Sequence, residues 1–218
     1  MNKKMFLIFI GPPGSGKGTQ TDMLAEKLEI PAVSPGELLR QEVKNKTIIG
    51  RKIEKILASG KFVENDIVEE LLKKRLAKKD AKSGVIFDGF PRNFAQMSFL
   101  EKKLENSGKN KNKILVVYIH ISDKEAKKRL SRRRVCFCGA TYHLDYNPPK
   151  KKDICDVCGK RLMHRADDKP DVVTRRLKLF HKENDPIMKH FVKEKILVKI
   201  NGEQTIDKIQ KDILKYVI

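Results

Sequence analysis

The chain has 218 residues, of which 39% are hydrophobic, and it carries a formal net charge of +20. That length allows one substantial core and one small inserted module, and no segment has the apolar length needed to cross a bilayer. The first four residues, Met1-Asn2-Lys3-Lys4, lead into a predicted core strand rather than a cleavable signal, so we expect a soluble, cytoplasmic protein.

Strand and helix patterns alternate along the chain. Short apolar runs predict strands over 5–10, 32–33, 84–87, 114–121 and 195–200. Apolar residues at helical spacing predict helices over 16–28, 36–44, 49–58, 66–79, 93–106, 123–133, 170–192 and 204–216. This alternation predicts an α/β fold with a parallel sheet that has helices on both faces.

Two regions do not fit a plain α/β sheet. Residues 36–79 give three successive helical patterns without a strand, which predicts a helical subdomain over 35–83. Residues 134–165 contain all four cysteines and little helical periodicity, which predicts a small separate module. The core domain would then comprise 1–34, 84–133 and 166–218. Both insertions would flank the crevice at the carboxyl ends of the strands, where ligands bind in such sheets.

The most informative stretch is the glycine-rich loop between the first predicted strand and the first predicted helix. Glycine lets successive N–H groups converge on an anion at a helix N-terminus, and Lys17 adds a positive charge beside the terminal phosphates. Gly11, Gly16 and Lys17 satisfy the pattern G-x-x-x-x-G-K, although Gly18 follows the lysine and the hydroxyl comes one residue later, at Thr19. The pattern predicts a P-loop NTPase-type sheet whose nucleotide phosphates are held by Gly14, Ser15, Gly16, Lys17, Gly18 and Thr19.

A second motif, Asp88-Gly89-Phe90-Pro91-Arg92, follows the strand predicted over 84–87. Asp88 can face the phosphate loop and orient a magnesium hydration shell, or it can cap a helix. Arg92 can clamp a phosphate through its planar fork. Gln96, four residues later, would share a helix face with Arg92 and offer an amide that can read a base edge.

Together these motifs make the chain resemble the adenylate kinases, within the nucleoside monophosphate kinases, over essentially the whole sequence. The resemblance also includes Arg129-Leu130-Ser131-Arg132-Arg133-Arg134, Arg165-Ala166-Asp167-Asp168 and Thr174-Arg175-Arg176-Leu177. It implies reversible transfer of a phosphoryl group from ATP, with magnesium, to AMP, which gives two ADP. It also implies a monomer, a monophosphate-binding role for the helical subdomain over 35–83 and a lid role for the module over 134–165.

The resemblance also implies roles for single residues. Phosphoryl transfer needs charge neutralisation, which a crevice ringed by lysine and arginine supplies, although any one arginine could instead form a surface salt bridge. The catalytic group would be Lys17, Asp88, Arg92, Arg133, Arg165 and Arg176. Besides the phosphate loop, ATP would contact Arg129, Arg133, Thr141, Tyr142 and Gln204. AMP would contact Pro35, Arg40, Lys61, Phe62, Val63, Gly89, Phe90, Pro91, Arg92, Gln96, Arg165 and Arg176.

Pro35 departs from the family pattern, which usually has a threonine there, and Glu37 stands where the family has aspartate. Proline lacks both a hydroxyl and a backbone donor, so one contact of the base pocket is altered. Gln96 is the residue that AMP-selective enzymes carry, whereas UMP/CMP kinases tend to have asparagine. We therefore expect AMP as the acceptor, and a preference for UMP, CMP or GMP is the alternative.

The cysteines form two pairs, Cys136-Phe137-Cys138 and Cys155-Asp156-Val157-Cys158. A tetrahedral zinc–thiolate centre would supply folding energy to a module too small for a core of its own. The first pair has one residue between its cysteines, where zinc-bearing adenylate kinases have two. We expect a structural zinc on the four cysteines; a metal-free lid, or a site completed by His143, Asp145 or Asp153, are the alternatives.

The charge of +20 raises the alternative of a zinc-ribbon protein that binds nucleic acid. Runs such as Lys150-Lys151-Lys152 attract polyanions, but the lysines are scattered, Glu or Asp stands close to many of them, and few aromatic residues are interleaved. This hypothesis also leaves the phosphate loop and the Asp88 motif unexplained. We expect a basic surface around an anion-binding enzyme, without a nucleic-acid partner.

Overall fold

The computed structural model describes residues 5–105 and 114–218. Its seven strands are β1 (Met5–Ile10), β2 (Ala32–Val33), β3 (Gly84–Asp88), β4 (Ile114–His120), β5 (Arg133–Val135), β6 (Thr141–His143) and β7 (Leu197–Asn201). Its helices are α1 (Lys17–Leu28), α2 (Pro35–Lys44), α3 (Ile48–Ala58), α4 (Asn65–Leu76), α5 (Phe94–Glu105), α6 (Asp123–Arg132), α7 (Pro170–Lys193) and α8 (Ile206–Val217). No helix within the described ranges is both long and apolar enough to span a membrane.

The core is a five-stranded sheet in the order β2-β3-β1-β4-β7, and all four strand pairings are parallel. In the central strand β1, Ile8 lies opposite Phe87 of β3 and Val116 of β4. Ile8 packs into the larger hydrophobic cluster on one face of the sheet, whereas Phe9 packs into the cluster on the other face. The strand is therefore buried on both faces, which explains its unbroken apolar run and confirms the predicted α/β class.

The predicted helices and strands differ from the observed ones only at their ends, whereas the short strands β5 and β6 are not among the predicted elements. Leu76 ends α4 three residues before the predicted position because a 3-10 turn, Lys79–Lys82, follows it. Thr205 accepts a bond from the Lys208 N–H, so α8 begins at Ile206 rather than at 204. Lys195, with φ of 56°, closes the end of α7, so β7 begins at Leu197 rather than at 195. The first four residues and the end of the helix predicted over 93–106 lie outside the described ranges.

The two inserted regions differ in their secondary structure. Residues 35–76 form the three helices α2, α3 and α4, with no strand among them. The 134–165 region contains β6 and all of β5 except its first residue, Arg133. These two strands pair in an antiparallel sheet. Cys136, Tyr142, Cys155 and Leu162 form the small core of this region.

Candidate active site

The phosphate loop joins the end of β1 to the start of α1, at the carboxyl edge of the sheet. Gly14 and Gly16 have φ of 84° and 88°, in the left-handed region that glycine adopts without strain. Gly16 directly precedes the first turn of α1. The N-terminus of α1 is therefore placed to receive an anion, which its free N–H groups and its dipole stabilise.

Lys17 is the first residue of α1, and its ammonium group folds back over the loop. Nζ donates to the carbonyl oxygens of Gly11 at 2.7 Å and Pro12 at 3.1 Å, and to Ser15 Oγ at 3.3 Å. Burial lowers the pKa of Lys17 to about 8; the carboxylate of Asp88 opposes this shift, whereas nearby guanidinium groups add to it. A bound phosphate would favour the charged form of this lysine.

Asp167 and Asp168 hold three of the predicted arginines in one network. The fully buried Asp168 side chain accepts two bonds from Arg133 and one from Arg176 Nη1 at 3.0 Å. Asp167 accepts from Arg165 at 2.9 and 2.8 Å and pairs with Arg176 at 3.2 Å. The network ties the start of β5 to the 3-10 turn before α7, so it joins the two ends of the 134–165 region.

This network keeps a net positive charge. Burial alone would raise the pKa of Asp167, but the guanidinium groups of Arg176 and Arg165 outweigh it and hold that pKa well below its usual range. Burial lowers the pKa of Arg133 to about 10, and the charge of Arg165 adds to this lowering. At neutral pH three guanidinium groups therefore face two carboxylates, and an anionic ligand can neutralise the excess.

Arg40 and Arg92 bring two further guanidinium groups to Gly36. A Cβ at Gly36 would lie 3.1 Å from Arg40 Nη1 and 3.3 Å from Arg92 Nη2, so the missing side chain leaves room for both. Burial lowers the pKa of Arg40 to about 9, with repulsion from Arg165 as the next cause. Burial also lowers the pKa of Arg92, followed by repulsion from Arg176. The structure thus gathers five predicted arginines in one electrostatic group: Arg40, Arg92, Arg133, Arg165 and Arg176.

Carboxyl groups also lie close to the phosphate loop. Asp88 ends β3, and its Oδ2 would lie 3.8 Å from a Cβ at Gly18 of the phosphate loop. Desolvation raises the pKa of Asp22 to about 6, and the negative charges of Glu37 and Asp88 contribute. Carboxylate oxygens and a phosphate are the donors that Mg²⁺ prefers, so this donor set fits magnesium held mainly through its water shell.

Six of the predicted AMP-contacting residues line one small crevice between α2, α4 and the start of α5. They are Pro35, Lys61, Phe62, Val63, Arg92 and Gln96, and the apolar side chains of Leu39, Leu57 and Val68 complete the walls. The Arg92 guanidinium lies 5.8 Å from the centre of the Phe62 ring. Gly89 and Pro91 adjoin Phe90, which is fully buried and packs against Phe87 and Phe99. The pocket is therefore apolar along its walls and basic at the end formed by Arg92.

One expectation about this pocket is wrong. Arg92 and Gln96 do not share a helix face, because α5 begins at Phe94 and Arg92 precedes it. The Gln96 side chain instead turns back, and its Oε1 accepts the Arg92 backbone N–H at 2.9 Å. The sequence Asn93-x-x-Gln96 has the spacing of a capping box, which predicts the bond from the Gln96 N–H to Asn93 Oδ1; the Gln96 side chain, however, bonds one residue before Asn93. The structure also adds two residues that the sequence argument missed, Asn65 and Asn93, which bond to Gln96.

The predicted ATP-contacting residues outside the phosphate loop lie in two groups. Arg129 pairs with Glu125 at 2.7 Å and donates to the Gly202 carbonyl at 2.9 Å, which places it near Gln204 in the β7–α8 turn. Gln204 donates to the Asn201 carbonyl at 2.8 Å. Arg129 therefore lies beside this turn, whereas Arg133 is bound to Asp168.

Thr141 and Tyr142 lie on β6 and point in different directions. Thr141 is exposed, whereas Tyr142 is buried in the small core of its module. The Tyr142 hydroxyl lies 3.5 Å from Cys155 Sγ and accepts the Asp156 N–H at 2.8 Å. The Tyr142 side chain thus packs within the module, and an ATP contact at this position would come from its backbone.

The four cysteines come together within the 134–165 region. Their sulfur atoms all lie within 4.8 Å of one another, and the Cys136–Cys158 and Cys138–Cys155 pairs are 3.3 and 3.6 Å apart. A tetrahedral ion with sulfur ligands at about 2.3 Å places its sulfurs about 3.8 Å apart. The cluster therefore fits a metal ion that prefers thiolates, and the one-residue spacing of the first pair does not prevent convergence.

Phe137, between the first two cysteines, connects this region to the helical insertion. Lys44 Nζ, at the end of α2, lies 4.6 Å from the centre of the Phe137 ring, and Lys160 Nζ lies 5.5 Å from it. Both are within cation–π range of this half-exposed ring. The two inserted regions thus touch each other across the crevice.

A larger cavity of about 550 Å³ lies at the opposite end of the sheet. The described residues that line it come from β1, α5, the start of β4, the end of α7 and the short segment between α7 and β7. Within the described ranges, it includes none of the predicted site residues. Charge and hydrogen-bonding groups, rather than volume, therefore identify the candidate site.

Comparison with known proteins agrees with this geometry. The family model described as adenylate kinase matches residues 9–196. An adenylate kinase from Caldicellulosiruptor bescii is 41% identical over 97% of this chain and 98% of its own length. Adenylate kinases from Methanocella arvoryzae and Clostridioides difficile are each 39% identical, over 96% of this chain and 96% and 97% of their own lengths. The chain therefore belongs to the adenylate kinase family.

Proposed function

We propose that this protein transfers the terminal phosphoryl group of ATP reversibly to AMP, which gives two ADP. A phosphate oxygen of AMP bonds to the γ-phosphorus while the bond from that phosphorus to the β-phosphate oxygen breaks. The observation that carries the proposal is the group of five arginines at the carboxyl edge of the sheet, of which Arg92, Arg133 and Arg176 lie close enough to act on the charge of Lys17. Such a reaction needs positioning and charge neutralisation more than covalent catalysis, and this group supplies both.

On the ATP side, the phosphate loop would bind the phosphates through its backbone N–H groups, and Lys17 would neutralise the terminal ones. Arg133 would approach from the other side, held in orientation by Asp168. Asp88 would order the water shell of a magnesium ion, and that ion would supply positive charge to the ATP phosphates. Gln204 and Arg129 lie together near the β7–α8 turn, which suits contacts to the nucleoside.

On the AMP side, Arg40 and Arg92 would hold the phosphate, and Pro35, Lys61, Phe62 and Val63 would line the base pocket. Arg165 and Arg176 would complete the charge around the transferred group. The acidic partner of these two, Asp167, keeps them close together and oriented. AMP selectivity would come from Gln96, which is almost fully buried at the pocket wall.

The domain division follows from these roles. The core domain of 1–34, 84–133 and 166–218 would bind the phosphates, the helical subdomain of 35–83 the monophosphate, and the 134–165 region would act as a lid. Water in an open site would accept the phosphoryl group, so a closed lid favours transfer over hydrolysis. The contact of Lys44 with Phe137 supports closure of the lid onto the helical subdomain.

We further propose that the lid metal is zinc. Four thiolates leave no open position, so the ion would be structural and would stabilise a module with a four-residue core. Iron with four thiolates has similar geometry, so elemental analysis of undenatured protein decides the identity. One zinc per chain is the expected result, and near-zero metal would contradict the proposal.

Loss of one metal ligand is expected to weaken the lid. We expect Cys158→Ser to bind less zinc and to lower the unfolding midpoint by roughly 5–10 °C, because a ligand set of three holds the ion more weakly. Val157→Ser is the matched control, since Val157 is the exposed neighbour in the same turn. Equal zinc content and equal midpoints in the two variants would show that the cluster does not hold the ion.

The lowered pKa of Lys17 predicts a pH dependence of ATP use. Lys17 is charged below about pH 8 in the free protein, so kcat/KM for ATP is expected to stay at its maximum below that pH. Above it, kcat/KM should fall by up to about tenfold per pH unit, while kcat falls at higher pH because bound phosphate raises the lysine pKa. Rates measured from pH 7 to 10 test this, and a constant kcat/KM over that range would contradict it.

The test of the proposed activity is a magnesium-dependent assay with ATP and each of AMP, GMP, UMP and CMP, in which the diphosphate products are measured directly. Rapid ADP formation with AMP alone supports the proposal. Faster reaction of UMP, CMP or GMP would keep the proposed phosphoryl transfer but contradict AMP as the preferred acceptor. If no monophosphate reacts, the proposed activity is wrong.

A further inference from the structure

The side-chain amide of Gln96 is held from two sides. Its Oε1 accepts the Arg92 backbone N–H at 2.9 Å, and its Nε2 donates to Asn65 Oδ1 at 3.0 Å. Asn65 Oδ1 also accepts from Asn93 Nδ2 at 3.0 Å, while Asn93 Oδ1 accepts the Gln96 backbone N–H at 2.9 Å. Four residues from α4, α5 and the preceding loop thus form one closed network at the pocket wall.

The orientation of every amide in this network follows from two backbone donors. The Arg92 N–H requires an oxygen on Gln96, so the other Gln96 terminal atom is the NH₂ group. The Gln96 N–H requires an oxygen on Asn93, so the Asn93 NH₂ group faces Asn65. Two NH₂ groups therefore converge on one atom of Asn65, and that atom must be its oxygen.

The orientation of the Gln96 amide decides which purine it can pair with. Adenine presents a 6-amino donor beside the N1 acceptor, whereas hypoxanthine and guanine present a 6-oxo acceptor beside an N1–H donor. An amide offers one donor and one acceptor side by side, so a half-turn of the amide exchanges the two patterns. A glutamine free to turn would pair with either kind of base.

We propose that Asn65 is a positioning residue for base selectivity: by accepting from Gln96 Nε2, it prevents the Gln96 amide from turning into the orientation that pairs with 6-oxopurines. This inference rests on the proposed AMP site. Asn65 acts through Gln96, since it is the start of α4 and stands behind the pocket wall rather than among the residues that line the crevice. The hydrogen bond from the Arg92 N–H to Gln96 Oε1 also fixes the amide orientation, so loss of Asn65 should weaken selectivity without abolishing it.

The test compares Asn65→Leu, which removes the acceptor at similar volume, with Asn65→Asp, which keeps an oxygen for both NH₂ groups. Steady-state rates with ATP and either AMP or inosine monophosphate give the ratio of their kcat/KM values. We expect Asn65→Leu to lower the AMP preference about three- to tenfold, the change that one neutral hydrogen bond produces, and mainly through KM. Asn65→Asp is expected to keep the wild-type ratio.

Direct titration of AMP and inosine monophosphate without ATP gives the ratio of their dissociation constants, which tests the same preference. Asn65→Ala serves as a second variant without an acceptor, and thermal unfolding confirms that each variant is folded. An unchanged ratio in both acceptor-free variants would overturn the proposal, as would an equal loss in Asn65→Asp. Failure of the wild-type protein to bind or phosphorylate AMP would overturn the proposed function, and this outcome is distinct from either of those.

Discussion

Replacement of Lys17 by methionine is expected to lower kcat about 10²- to 10³-fold, the usual cost of removing one preorganised group that stabilises transition-state charge. The methylene chain of methionine fills similar space, so the loop can keep its backbone, but the only lysine directly on the phosphate loop is gone. Charge that develops on the transferred phosphoryl group would then meet fewer positive groups. Steady-state kinetics with ATP and AMP measure the effect.

The fold should survive this substitution, because Lys17 makes no ion pair in the described part of the chain and bonds only to its own loop. Its lowered pKa shows that burial of its charge is costly, so the variant should unfold at the same temperature as the wild type or above it. Loss of AMP affinity in Lys17→Met would contradict the assignment of Lys17 to the ATP side. A kcat within threefold of the wild type would contradict its catalytic role.

The parts of this site that the sequence predicts are those set by local backbone requirements. Gly14, Gly16 and Lys17 stand within one strand–loop–helix unit, so their spacing alone specifies their arrangement. Asp88 and Arg92 are similar, because they follow β3, which lies directly beside β1, and the carboxyl end of that strand adjoins the phosphate loop. The cysteine pairs predict their own convergence, since a module this small needs a cross-link.

What sequence reasoning missed depends on the approach of distant segments. Asn65 and Gln96 are 31 residues apart and meet only because α4 packs beside α5. The burial of Tyr142 also does not follow from the sequence, since a strand of three residues is too short for its pattern to indicate which side chain is covered. Arg129 and Arg133 are four residues apart in the sequence, but α6 ends between them. Of these two arginines, Arg133 therefore bonds to Asp168 and Arg129 does not.

The ion pairs of Asp168 give the largest expected effect on stability. Its side chain is fully buried, and it accepts from two guanidinium groups, those of Arg133 and Arg176. Asp168→Ala is therefore expected to destabilise the fold by about 3–5 kcal/mol, because it leaves the Arg133 guanidinium without its ion-pair partner and leaves Arg176 with Asp167 alone. That corresponds to a fall of roughly 6–20 °C in the unfolding midpoint for a chain of this size.

Asp171→Ala is the matched control, because Asp171 is exposed and lies 3.9 Å from Arg175, an arrangement that contributes little. The physical cause can be tested further, since the phosphates of a bound nucleotide would supply negative charge to the same arginines. We therefore expect saturating ADP to raise the midpoint of Asp168→Ala more than that of the wild type. Two results would show that Asp168 is not the counter-charge of this cluster. One is an equal unfolding midpoint in the two aspartate variants, and the other is an equal rise of the midpoint with ADP in Asp168→Ala and the wild type.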